Sequence, residues 1–182
     1  NFAGAGALKE IAPPSLAGLD RLAVGALASG PENARVLTVD AEYRRGERYI
    51  ILQITYSPTI AEQIGFGGPA TSEFDRETPD GYSRRRRVDG AIIVEDWNRA
   101  SRSGSHGRLL ADRLYVRAVG GGGVRAADLK LAAESFGPET LARFERSDEG
   151  PESARGGKNP TTQLLGRQNP NTGRLAHGGG PS

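Results

Sequence analysis

The sequence predicts an α+β domain: a mainly antiparallel sheet of about four strands, covered by an N-terminal helix and one or two C-terminal helices. Three observations lead there. Residues 35–56 are the densest apolar, β-branched stretch of the chain. Residues 124–136 carry a helical stripe that ends at Gly137-Pro138. Gly and Pro together number 37 of 182 residues, which leaves the compact core only part of the length. The expected organisation is an irregular segment over 1–13, one domain over 14–146 and a Gly/Pro/Asn-rich disordered tail over 147–182.

Taken in order, Pro13-Pro14 closes whatever precedes it. Ser15 can cap a helix over residues 15–29, with Leu16, Leu19, Leu22, Ala23, Ala26 and Leu27 on one face and Gly30-Pro31 as its stop. Gly18 and Gly25 would each cost that helix about 1 kcal/mol relative to Ala, so it depends on tertiary packing. The hairpin of residues 35–56 follows. A turn centred on Arg45-Gly46 sets Leu37 against Ile54, Val39 against Leu52 and Ala41 against Ile50, all on one face. Thr38, Asp40 and Glu42 then share the opposite face.

Residues 59–64 read as a helical turn, and residues 65–87 as a long polar loop, uncommon in a compact domain unless functional or disordered. Residues 88–97 give a third strand centred on Ala91-Ile92-Ile93-Val94, and residues 98–107 a polar connection. A short helical turn to Ala111 precedes a fourth strand over 113–119, where Leu114, Val116 and Ala118 alternate. Gly120 to Gly123 is a flexible break before the helix of 124–136, and Pro138 can open a second helix holding Leu141 and Phe144.

Composition removes several classes of function. No apolar run is long enough to span a bilayer as a helix, and no secretory leader opens the sequence. Without cysteine there are neither disulfides nor thiolate metal sites. Methionine is absent even at position 1, which points to a processed product or a fragment. These features leave the compartment open. A P-loop, a Ser-centred nucleophile elbow and a zinc-protease helix are all missing.

Charge is the remaining guide. Net charge is only +2, but residues 76–125 hold eleven basic and six acidic side chains, whereas residues 1–75 hold six and nine. Arg84, Arg85, Arg86 and Arg87 lie consecutively in the expected loop, where guanidinium groups can grip a phosphate backbone. Tyr82 and Trp97 stand near enough to stack on bases. Arg117 and Arg125 flank the glycine run. Arg117-Ala-Val-Gly-Gly-Gly122 resembles the acetyl-CoA loop of GNAT acyltransferases, which implies a pyrophosphate held at the following helix start.

Two further constellations carry chemistry. Asp40 and Glu42 project the same way, about 7 Å apart at strand rise, and could share a divalent metal such as Mg that activates water. An Asp-x-Glu on a first strand followed by a second is similar to the opening motif of DEDD-type 3′–5′ exonucleases. That family needs two later aspartates near a His or Tyr, and Asp89, Asp96 and Asp112 are available. His106 could instead act as a metal-independent general base. The expected function is binding of a phosphate polymer, nucleic acid foremost, through the Arg-rich loop. The alternatives are a nuclease using Asp40 and Glu42 or His106, and an assembly protein whose tail docks on neighbouring subunits.

Overall fold

A computed structural model describes residues 5–65 and 73–148. The expected tail over 147–182 lies almost wholly outside these residues. The sheet is larger than the sequence suggests: nine antiparallel strands in the order β1-β2-β3-β4-β9-β8-β7-β6-β5, rather than about four. They are β1 (Ser15–Leu16), β2 (Leu19–Ser29), β3 (Val36–Arg45), β4 (Arg48–Tyr56), β5 (Phe74–Thr78), β6 (Gly81–Val88), β7 (Ala91–Asn98), β8 (Ser103–Leu110) and β9 (Leu114–Gly121). The helices are α1 (Ala5–Leu8), α2 (Ile60–Gln63), α3 (Ala126–Glu134) and α4 (Pro138–Asp148). Two antiparallel meanders, β1 to β4 and β5 to β9, meet where β4 pairs with β9.

The predicted helix over 15–29 is a hairpin instead. Ala17 and Gly18 take φ of 49° and 79°, the left-handed pair of a two-residue hairpin turn. Leu16 then opposes Leu19. Beyond a bulge between Arg21 and Ala23, Val24, Ala26 and Ala28 alternate toward the core while Ala23, Gly25 and Leu27 face outward. A stripe of small apolar residues fits both periods, and the two glycines tip it toward the strand.

The predicted loop over 65–87 contains β5 and β6, so Arg84–Arg87 stand on a strand. Asp89-Gly90 repeats the turn geometry of Ala17-Gly18, again with φ of 49° and 79°, and joins β6 to β7. The predicted connection over 98–107 and the helical turn after it are largely β8. Hairpin β3–β4 forms with the expected faces but a register two residues on: Leu37 opposes Tyr56 and Ala41 opposes Leu52, around a turn at Gly46-Glu47. Because side chains alternate with period two, that shift leaves Leu37, Val39, Ala41, Ile50, Leu52 and Ile54 on the core face.

The main core lies on that face. Leu37, Val39, Tyr43, Ile50, Leu52, Ile54, Leu114 and Val116 are buried there with Leu129, Ala132, Phe136 and Phe144 of the C-terminal helices. Leu8, Ile11 and Ala12 join the same core, so the N-terminal segment is part of this body. Phe144 stacks on Tyr56 with ring centroids 5.9 Å apart. A smaller cluster of Ile60, Ala61, Ile92 and Leu109 covers one end of the other face. Helices α3 and α4 match the two expected helices. Gly120 belongs to β9, where an added Cβ would come within 2.8 Å of Leu129 Cδ2; the glycine lets α3 settle directly on the sheet.

Candidate functional site: an aromatic and arginine cleft

Cross-strand partners share a face, and one row of them builds the candidate site. Tyr82, Trp97, Gly104, Gly120, Ile50 and Tyr43 follow one another across β6, β7, β8, β9, β4 and β3. The inner end of this row is buried core, and its outer end opens to solvent at Trp97 and Tyr82. There, a cleft of about 550 Å³ is lined by Tyr82, Trp97, Arg99, Arg102, Gly123, Val124, Arg125 and Ala126. Three of the eight are arginines and none is acidic.

Each group has a structural reason for its position. The Trp97 ring lies across Gly104, where a Cβ would overlap the Asp96 carbonyl oxygen and come within 2.8 Å of Trp97 Cε3. Arg99 and Arg102 leave the four-residue loop between Asn98 and Ser103. Arg99 is held, donating from Nη2 to Glu77 Oε1 at 2.6 Å and from Nη1 to the Thr78 carbonyl at 2.9 Å. Arg102 turns the chain with φ of 49° and makes no hydrogen bond or ion pair to the described residues.

Arg125 precedes α3. Its N–H donates to Asp128 Oδ2 at 2.9 Å and its Nη2 to Asp128 Oδ1 at 3.3 Å, while 79% of its side chain stays exposed. An arginine cannot accept a hydrogen bond, so only the Asp128 half of a capping box exists here. Burial alone would raise the Asp128 carboxyl, but the Arg125 N–H and guanidinium, with Arg48, hold it below its ordinary value. Arg84 lies over the Tyr82 ring, 4.1 Å from its centroid. Burial and Glu95 push the Tyr82 phenol up, against Arg84 and Arg99. The phenol therefore stays a neutral donor at pH 7.

The sequence-predicted residues divide among several places. Trp97 and Arg125 meet in the cleft together with Tyr82. The run Arg84–Arg87 does not form one patch, because a strand sends alternate side chains to opposite faces. Arg84 and Arg86 share the face of Trp97, where Arg84 pairs with Asp75 at 3.1 Å and Arg86 with Glu95 at 3.2 Å. Arg85 and Arg87 project the other way, Arg85 lying 5.3 Å from the Phe74 ring centroid. Arg117 also faces away from α3, opposite Gln53 and Gly107. The pyrophosphate geometry expected of an Arg-x-x-Gly-x-Gly loop is therefore absent, since its arginine and the helix start lie on opposite faces.

Asp40 and Glu42 do share the face predicted for them, but they lie five strand positions from β6, roughly 24 Å at ordinary strand spacing. Glu42 is bound by Arg44 Nε at 2.6 Å, and partial desolvation pushes the Asp40 carboxyl up. Among the described residues no cluster of three His, Asp or Glu side chains suits a metal ion. His106 is buried under α3, with Nδ1 3.3 Å from Glu95 Oε1 and Nε2 without a partner among the described residues. Burial lowers its pKa, opposed chiefly by Glu95 and Glu134. It does not line the cleft.

Arg99 and Arg102 escaped the sequence reading. The available signal was the short polar break after an apolar strand, Trp97-Asn98 to Ser103, which marks a hairpin tip beside the only tryptophan. No protein-family model, curated protein or solved structure matches this chain. No helix among the described residues is long and apolar enough to cross a membrane.

Proposed function

We propose that the chain binds single-stranded nucleic acid at the cleft of Tyr82, Trp97, Arg99, Arg102 and Arg125. The observation that carries this reading is the convergence of two aromatic rings and three arginines on one opening without a lining carboxylate. An aromatic ring accepts any base by stacking, worth about 1–3 kcal/mol per base. The arginines then take the flanking phosphates, Arg102 and Arg125 with their guanidinium groups at the cleft and Arg99 fixed at its rim. Phosphate-polymer binding thus moves from the Arg84–Arg87 run to the hairpin tip and the start of α3.

Electrostatics favour the same ligand class. Three phosphate contacts on a single strand correspond to a salt slope of about −2 in log–log form. Affinity should then fall roughly 20-fold between 50 and 200 mM salt. Fluorescence anisotropy with a labelled oligothymidine tests this. The triple variant Arg99→Ala/Arg102→Ala/Arg125→Ala should flatten the salt response and weaken binding. Replacement of Arg85 and Arg87 together should leave both nearly unchanged. Equal losses in the two variants would place binding elsewhere and defeat the reading.

A further inference from the structure

The two edges of the sheet are built differently. At one, β5 is short and carries Asp75, Arg76 and Glu77 in five residues, charges that discourage pairing with another chain. At the other, β1 covers β2 only through Leu19 and Asp20, and the Arg21 N–H is taken by the Pro14 carbonyl at 2.9 Å. From Leu22 to Ser29 no strand among the described residues lies beside the outer edge of β2, and its sequence, Leu-Ala-Val-Gly-Ala-Leu-Ala-Ser, is uncharged. Leu22 and Leu27 are 66% and 61% exposed on it. Such an edge is a template for another strand.

We propose that this edge pairs antiparallel with the same segment of a second copy, about a two-fold axis at Gly25. Antiparallel partners must share a face, so the axis of a symmetric pair passes through a residue. Centred on Gly25, it opposes Leu22 to Ala28, Ala23 to Leu27 and Val24 to Ala26, and the mirror half repeats these. Every large side chain meets an alanine. Asp20 of the copy then falls opposite Gly30, so each two-residue β1 lies beyond the paired window.

Gly25 supplies an independent argument. Among the described residues nothing lies within 4 Å of a Cβ built there, and its φ is not left-handed. The single chain has no need of a glycine at this position, and glycine weakens a strand. A strand glycine often marks the close approach of another backbone, and on the axis Gly25 would meet its own copy.

The absence of cysteine gives a direct test. Gly25→Cys places the only two thiols on the axis, at a Cα separation of about 4.5–5.5 Å that a disulfide accepts. Mild oxidation of the full chain should give a covalent dimer for Gly25→Cys. Leu22→Cys and Ala28→Cys should each stay single, because their own copies would lie about 20 Å apart along the strand. Mixing those two variants should cross-link one to the other. Sedimentation equilibrium of the unmodified chain should approach twice 19.3 kDa as concentration rises. The double variant Gly25→Lys/Leu27→Lys, whose new lysine at 25 faces Asp40 within its own chain, should remain folded by circular dichroism and monomeric. A monomer at every concentration, self-cross-linking of Leu22→Cys, or a dimer that survives the lysines would each overturn the proposal.

Discussion

Gly104→Ala tests how the site is made, because one methyl group there meets both a backbone and the ring that lines the cleft. The new Cβ would overlap the Asp96 carbonyl oxygen of β7 and sit 2.8 Å from Trp97 Cε3. The indole can swing away, but the carbonyl belongs to the β7–β8 ladder and cannot move without loosening it. Forced overpacking of this kind costs about 1–3 kcal/mol, and a backbone clash belongs at the upper end. For a chain of this size, about 3 kcal/mol lowers the melting temperature by roughly 6–12 °C. Gly137→Ala is the matched control. Nothing lies within 4 Å of its Cβ and its φ is not left-handed, so stability should stay level or rise by about 0.4–1 kcal/mol. Thermal melts followed by circular dichroism give the stabilities, and emission from Trp97, the only tryptophan, reports the ring. A Gly104→Ala protein that melts with the wild type and keeps its emission spectrum would refute the claim that this glycine seats the indole.

Three other predictions follow from the same geometry. Arg102→Ala should leave the melting temperature unchanged, since the side chain has no bonded partner among the described residues, yet reduce the salt slope of oligonucleotide binding by about 0.7; anisotropy over a salt series reads it. Asp128→Asn should cost about 1 kcal/mol at the start of α3 and tighten oligonucleotide binding by freeing Arg125; chemical denaturation and anisotropy give the two opposite signs. His106 is neutral when folded, enclosed by Glu95, Arg108, Lys130 and Glu134, with a pKa below its unfolded value near 6.5. The unfolded chain therefore takes up the proton first. Stability contributed by His106 is present above about pH 6.5 and is lost as pH falls toward the folded pKa, by at most about 1.4 kcal/mol per pH unit. Urea unfolding of wild type and His106→Phe between pH 7 and 5 should show that slope in the wild type alone, and parallel curves would contradict it.

Much of the central fold was legible because its residues obey one period. β3, β4 and β9 are apolar on alternate positions, β7 opens with the continuous apolar run Ala91-Ile92-Ile93-Val94, and α3 and α4 carry their stripes with Gly137-Pro138 between them. The missed strands are those whose patterns are ambiguous or masked. Over 15–29, Leu16, Leu19, Leu22, Ala23, Ala26 and Leu27 satisfy a helical stripe, and the turn that decides otherwise uses Ala17 in a left-handed conformation, an unusual choice for alanine. In β6, four charged residues in succession hide the alternation that places Arg84 and Arg86 with Trp97 but Arg85 and Arg87 behind it. Asp89-Gly90 was the readable clue, since such a pair commonly closes a hairpin.

Of the residues that line the cleft, the sequence singles out Tyr82, Trp97 and Arg125 but neither Arg99 nor Arg102. Arg84–Arg87 drew attention by being contiguous, whereas a strand makes contiguous residues diverge. Arg99, Arg102 and Arg125 come together through the β7–β8 tip and the approach of α3 to the sheet, contacts that sequence spacing does not encode. Asp40 and Glu42 were placed on the right face, but strand order, which carries the chain from β4 to the far edge and back, sets them five strands from β6.

The most direct measurement is the emission of Trp97 as a single-stranded oligothymidine of about 12 nucleotides is added. Stacking of a base on the indole should quench it saturably, with a midpoint that moves about 20-fold to weaker binding between 50 and 200 mM salt, and with Tyr82→Ala and Arg125→Ala each shifting it further. Emission that stays constant while anisotropy still reports binding would put the nucleic acid somewhere other than this cleft, and no binding by either signal would leave the cleft without the ligand assigned to it.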